Sequence, residues 1–349
     1  MITNKIIHYF LSLVSIIALT YCSPTAKNKK EEPGKENTFH PSKGSIEIID
    51  PAFKKMINED ASIDVLGEGF MWTEGPVWIP EEDYLLFCDI PKNTIHKWKE
   101  GEGISVYLTP SGYTGEKERG GETGSNGLML NAEKQLFLCQ HGNRQIAVMN
   151  AELSDPKPDF ITLSDGYDGK KLNSPNDLAV HSGGDIYFTD PPYGLEFNVK
   201  DPLKEIDFQG VYRWSAKDST TTLMFQDLTR PNGIALSPDE KYVYVANSDP
   251  KKAYWIVFDL TEEGSFANGR IFYDATTSVA ESPGLPDGMA VDKSGNLFAT
   301  GPGGVWIFSP QGKLLGKIKT GQATANCTFS ADYKYLYMTA HSYLLRVKL

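Results

Sequence analysis

Six residues of one chemical kind open short apolar runs along this chain: Glu74, Asn126, Asn176, Asn232, Asp287 and Asn326. The runs read Glu74-Gly-Pro-Val-Trp, Asn126-Gly-Leu-Met-Leu, Asn176-Asp-Leu-Ala-Val, Asn232-Gly-Ile-Ala-Leu, Asp287-Gly-Met-Ala-Val and Asn326-Cys-Thr-Phe-Ser. Carboxylate and amide oxygens are hard donors. With no cysteine cluster beside them they select Ca2+ or Mg2+ over zinc, and Ca2+ tolerates donors gathered irregularly from separate elements. Asn-Gly and Asp-Gly are also ordinary turn dipeptides, a reading that covers the amides but leaves the two carboxylates unexplained.

The intervals show what must position these residues. Tips recurring every roughly 40–55 residues are the signature of four-stranded propeller blades. The copy at 174–194 shows the unit: a polar tip at Asn176, an apolar strand, a Gly183-Gly184 turn and a second apolar strand ending at Thr189, which is a β-hairpin. In every copy the second strand reaches a small residue 13 or 14 positions after the tip, at Cys88, Cys139, Thr189, Ala246, Thr300 and Thr339. The fold class is therefore all-β, a six-bladed β-propeller. Tyr343–Leu349 ends the chain one strand short of a complete sixth blade, so the N-terminal strand at 61–69 is expected to supply it and close the ring. Inner strands line the channel of a propeller, which turns the six tips into a ring. There, Glu74 and Asp287 repel one another and lose hydration unless a cation or proton lies between them.

The domain expectation is 1–22 export signal, 23–60 flexible tether and 61–349 propeller. Residues 1–22 combine Lys5, an apolar run from Ile6 to Leu19 and a Leu-x-x-Cys ending, a lipoprotein-type signal that would lipidate Cys22, although Tyr21 stands where a small residue is usual. A cell-envelope lipoprotein is expected, periplasmic or anchored to the outer membrane, with plain secretion as the alternative. The stretch after Cys22 is rich in Lys, Glu, Pro and Asn and reads as a solvated tether. A net charge of −11 excludes a nucleic-acid partner. Strand expectations elsewhere are Ile104–Leu108, Gln145–Met149, Asp159–Leu163, Gly210–Trp214, Ala253–Phe258 and Val305–Phe308. Two long connections, Thr109–Gly124 and Pro191–Gln209, are expected to carry binding, the first overhanging the axial site.

Several motifs in order, Phe70-Met-Trp-Thr-Glu-Gly-Pro-Val-Trp, Leu172-Asn-Ser-Pro-Asn-Asp-Leu, Tyr187-Phe-Thr-Asp-Pro-Pro-Tyr-Gly, Arg230-Pro-Asn-Gly-Ile-Ala-Leu-Ser-Pro-Asp and Leu285-Pro-Asp-Gly-Met-Ala-Val-Asp, resemble the gluconolactonase family of six-bladed propellers, which includes the senescence marker protein. The resemblance runs from about residue 61 to the end. It implies that Glu74, Asn176, Asn232 and Asp287 bind one catalytic divalent cation, usually calcium, at the channel mouth, and that the substrate is a sugar lactone. It also draws attention to His141, in His-Gly-Asn-Arg, and His341. Both lie two residues beyond the small-residue slot and should emerge at one end of the ring.

On this reading Asp287 is the general base, with His341 and His141 as alternates or proton shuttles. Position alone nominates Asn126, Arg144, Lys117 and Arg119 as holders of substrate hydroxyls. Organophosphate or aryl-ester hydrolysis at the same site stays open, as does a non-catalytic propeller presenting loops to a partner. There is no Gly-x-Ser-x-Gly elbow, His-Glu-x-x-His helix, Walker loop or Rossmann fingerprint.

Overall fold

The computed structural model describes residues 43–349, and the proposed export signal and the first part of the tether lie outside them. Six antiparallel sheets stand around one axis, and the only helices among the described residues are short 3-10 turns. The inner strands are Thr73–Ile79, Ser125–Leu130, Leu178–Val180, Pro231–Leu236, Met289–Val291 and Thr324–Phe329. Each touches the next, and the last touches the first, so the ring is closed. A separate two-stranded ribbon pairs Gly166 and Tyr167 with Lys171 and Lys170.

Closure comes from the N-terminus, as expected. Strand β1 (Ser45–Ile48) and strand β2 (Ile63–Glu68) come first in the described chain, and β2 pairs antiparallel with Tyr343–Lys348 as the outer strand of blade six. The last three strands of the chain and the second of these two thus share one sheet. Across the seam to blade one, Trp78 stacks on Tyr337 with ring centroids 5.1 Å apart. Arg346 reaches Asp64 at 3.2 Å and also bonds Glu100.

Part of the expected tether is ordered. β1 adds a fifth strand to blade five, pairing Ser45 with Lys319 and Ile48 with Gly316. A 3-10 turn at Pro51–Lys55, whose first turn is capped by the Asp50 carboxylate, then drops Phe53 into the seam between blades five and six. Gly316 makes the room, since a Cβ there would lie 2.1 Å from the Phe53 ring. The tether reading weighed average polarity. It passed over the alternating Ser-Ile-Glu-Ile and one well-placed aromatic.

The core is divided by the blades. Six apolar clusters each fill the seam between two neighbouring sheets. At three of its six positions the small-residue slot does more than pack and bonds the next blade. Cys88 Sγ donates to Asn126 O at 3.2 Å, Thr189 Oγ1 to Asn232 O at 2.6 Å and Thr300 Oγ1 to Ala325 O at 3.0 Å. Cys88, Cys139 and Cys327 are free and buried, as packing residues should be.

Candidate functional site

The inner strands are irregular at their tips. Register shifts fall between Glu74 and Val77, Ser125 and Leu128, Pro231 and Ile234, and Thr324 and Asn326. A bulge there lifts the tip out of the alternating pattern and re-aims its side chain along the channel. The glycine after the tip serves the same end. A Cβ on Gly75 would lie 1.9 Å from Asn126 O, and one on Gly233 would lie 2.2 Å from Asp287 O. These glycines let six backbones crowd one axis, a requirement stronger than the turn preference of Asn-Gly.

Five of the six tips reach one cavity of about 320 Å3, within the usual range of small-molecule pockets. Glu74, Asn126, Asn176, Asn232 and Asp287 line it together with Trp72, Glu122, Tyr193 and Ser248. The sixth tip, Asn326, turns away. Blade three carries Asp177 where four of the other tips carry glycine and blade six carries Cys327, and Asn326 lies near that carboxylate below the ring. Both residues line a larger cavity of about 640 Å3 at the other mouth, whose walls are mostly apolar. The chemistry belongs to the smaller cavity, because that is where carboxylates and amides converge.

Among the described residues no lysine or arginine lines the smaller cavity, and burial dominates its electrostatics. Desolvation, then the charge of Asp177, pushes Glu74 up to about 8 despite a backbone hydrogen bond from Gly75. Desolvation and the neighbouring Glu74 hold Asp287 well above the carboxylate range. Asp177, just below, is raised to about 7 by burial. Acidic groups are thus collected with no positive side chain from the described residues among them.

The amides face consistently. Asn232 Nδ2 donates to Ser248 Oγ at 2.9 Å. Asn126 Nδ2 and Asn176 Nδ2 both lie 3.5 Å from His141 Nε2. None of the three amide oxygens takes a hydrogen bond from any of the described residues. Among the described residues no three His, Cys, Asp or Glu side chains gather as a metal-binding group. The donor set is instead two carboxylates and unengaged amide oxygens, which fits a hard divalent cation.

The other nominated residues lie elsewhere. His141 is fully buried behind Asn126 and Asn176, with Nδ1 3.2 Å from Glu122 Oε2. His341 is exposed, has φ 55°, sets its ring edge-on to Trp72 at 5.4 Å, and does not line the cavity. Arg144 is a buried clamp. Its Nε donates to Leu172 O at 2.7 Å and Asn173 O at 3.1 Å, which leaves the guanidinium occupied with backbone rather than facing a ligand. Arg119 ties the two long connections together, donating to Gly142 O at 2.6 Å and also to Gly194 O. Lys117 sits on the exposed part of its loop beside a separate depression. Those connections do reach the site, through Glu122 and Tyr193, side chains that carry no periodic signal and went unnamed. Ser248 was also missed, although it lies two residues beyond the Ala246 slot, the relation that singled out the two histidines.

The sequence matches the family model described as the SMP-30/gluconolactonase/LRE-like region over residues 72–342. A gluconolactonase of Zymomonas mobilis is 35% identical over 345 residues, which cover 97% of this chain and 96% of that protein. A solved gluconolactonase of Xanthomonas campestris superposes with a TM-score of 0.74 at 29% identity, covering 88% of this chain and 97% of the other. The solved regucalcin of Agrobacterium tumefaciens, described as a calcium-binding protein, superposes at a TM-score of 0.61 with 17% identity over 81% of this chain and 94% of its own, a likeness of fold alone.

Proposed function

The chain belongs to the SMP-30/gluconolactonase family, and from that premise we propose that it is a sugar-lactone hydrolase dependent on a divalent cation, Ca2+ first among the candidates. One observation carries the cation: Glu74 and Asp287 converge on a cavity that no described lysine or arginine lines. The carboxylates of Glu74 and Asp287 with the amide oxygens of Asn176 and Asn232 would hold it. When bound, such an ion supplies Lewis acidity toward a carbonyl oxygen.

The remaining work falls to the chain itself. Trp72, Ile90 and Leu285 give the cavity apolar walls that limit bulk water around the lactone. Asn126 offers its amide oxygen to a substrate hydroxyl. Asp287 takes a proton from the attacking water as the new carbon–oxygen bond forms. It then returns that proton to the ring oxygen as the lactone carbon–oxygen bond breaks, giving the hydroxy acid. The proposal extends to the cell envelope, with export directed by residues 1–22 and lipidation at Cys22.

The test is Asp287→Asn at saturating Ca2+. An amide still coordinates through oxygen but accepts no proton from water, so gluconolactone turnover should fall by about 10²–10⁴-fold while bound metal persists. Near wild-type turnover in the metal-loaded variant would reduce Asp287 to a ligand, and active wild-type protein free of divalent metal would remove the cation altogether. A parallel panel of aryl esters and phosphotriesters decides between lactonase and its esterase alternatives.

A further inference from the structure

The cavity wall fixes the direction of two amides by fixing the protons of their neighbours. Ser248 has one hydroxyl proton, and it is donated to the Pro286 carbonyl. Toward Asn232 the serine can then only accept, which turns the Asn232 NH2 toward it, at 2.9 Å, and the Asn232 oxygen away. Another blade repeats the logic with different chemistry. The Glu122 carboxylate lies 3.2 Å from His141 Nδ1, not aligned as a hydrogen bond but close enough that its charge favours the tautomer protonated there. Nε2 is left as a bare acceptor facing the NH2 groups of Asn126 and Asn176 at 3.5 Å each.

We propose that Ser248, and His141 held by Glu122, are positioning residues that lock the Asn232 and Asn176 amide oxygens toward the cavity, so that a cation meets preset oxygen donors. The inference rests on the cation-dependent reading above. An amide turned the other way would present its NH2 to the ion, and nothing in the asparagine itself forbids that. Each acceptor removes the choice before the ion arrives, which is preorganisation of a ligand by its outer partner.

A carboxylate has oxygen on both sides and needs no orienting, which makes the discriminating experiment a double-mutant cycle. Ca2+ affinity is measured by calorimetry on the metal-free protein for wild type, Ser248→Ala, Asn232→Asp and the double variant. Melting temperatures of the metal-free forms check that each is folded. Ser248→Ala should weaken Ca2+ about tenfold when residue 232 is asparagine, the worth of one hydrogen bond, and by less than about twofold when it is aspartate. In metal-free wild type, nitrogen-15 NMR should find the His141 proton on Nδ1. Equal losses in both backgrounds, or no loss in either, overturn the role of Ser248, and a proton on Nε2 overturns that of His141. Wild-type protein that takes up no Ca2+ overturns the cation reading and this inference with it, so the two failures are told apart.

Discussion

Four carboxylates, Glu74, Asp177, Asp190 and Asp287, are all raised chiefly by burial. Even Asp190, which accepts the backbone N–H groups of Asn173 and Ser174 at 2.7 Å each, is pushed up to about 7. A carboxyl whose folded value lies above its unfolded one keeps a proton that the unfolded chain releases. The folded state therefore loses stability as pH climbs through the interval between the two values. For Glu74 that interval runs from 4.5 to about 8. Metal-free protein should accordingly melt at progressively lower temperature from pH 5 to pH 8, and added Ca2+ should raise the melting point more at pH 8 than at pH 5. Scanning calorimetry with and without a chelator measures both, and a melting point that rises across this range would contradict the burial of these groups. Glu74 and Asp287 were legible because their acidity breaks a run of amides at fixed spacing. Glu122 and Tyr193 were not, because a loop has no period to betray which residue faces inward. The surroundings of Arg144 were hidden for a related reason. Spacing located its turn, while the left-handed backbone at φ 60° precedes a guanidinium spent on the carbonyls of Leu172 and Asn173.

At the scale of elements, the hairpins were readable because alternation and turn residues are local. The strand at Gln145–Met149 falls where the pattern put it, and so does Gly210–Trp214. Ser45–Lys55 was not, because its order depends on partners some 270 residues away in blade five and on a space that only Gly316 provides. Phe53 is fully buried there among Ile63, Phe298, Ile318 and Val347. Phe53→Ala should cost about 3–5 kcal/mol of unfolding free energy, the range for truncating a buried aromatic. It does not line the site cavity, so lactone turnover per folded molecule should not change. Urea denaturation followed by Trp fluorescence measures the first and a lactone assay the second. A loss below about 1 kcal/mol would mean that the seam closes without it.

The described residues form one ring, closed at the seam where β2 pairs with the C-terminal strand. β2 is held there by its ladder to Tyr343–Lys348 and by the contact of Arg346 with Asp64. A chain starting at residue 43 keeps both N-terminal strands and should unfold in a single cooperative transition. One starting at residue 70 bares the edge of blade six and should aggregate or melt broadly. Light scattering and calorimetry of the two truncations give the answer, and equal behaviour would deny β2 its role in closure. Six blades were legible because the tips count them. The fifth strand of blade five was not, because it belongs to no repeat.

That extra strand also decides how the ring responds to a pull. Force applied through the chain ahead of residue 43 meets the bond from Lys43 N–H to Ile63 O and then β1, and has to strip the ladder between Ser45–Ile48 and Gly316–Lys319 and draw Phe53 from its seam before it can peel β2 from Tyr343–Lys348. The joint that keeps the ring shut therefore sits downstream of a sacrificial fastening. A jerk that opens the fastening frees the chain from residue 43 up to the start of β2 at Ile63 and leaves all six blades, and the cavity at their centre, standing.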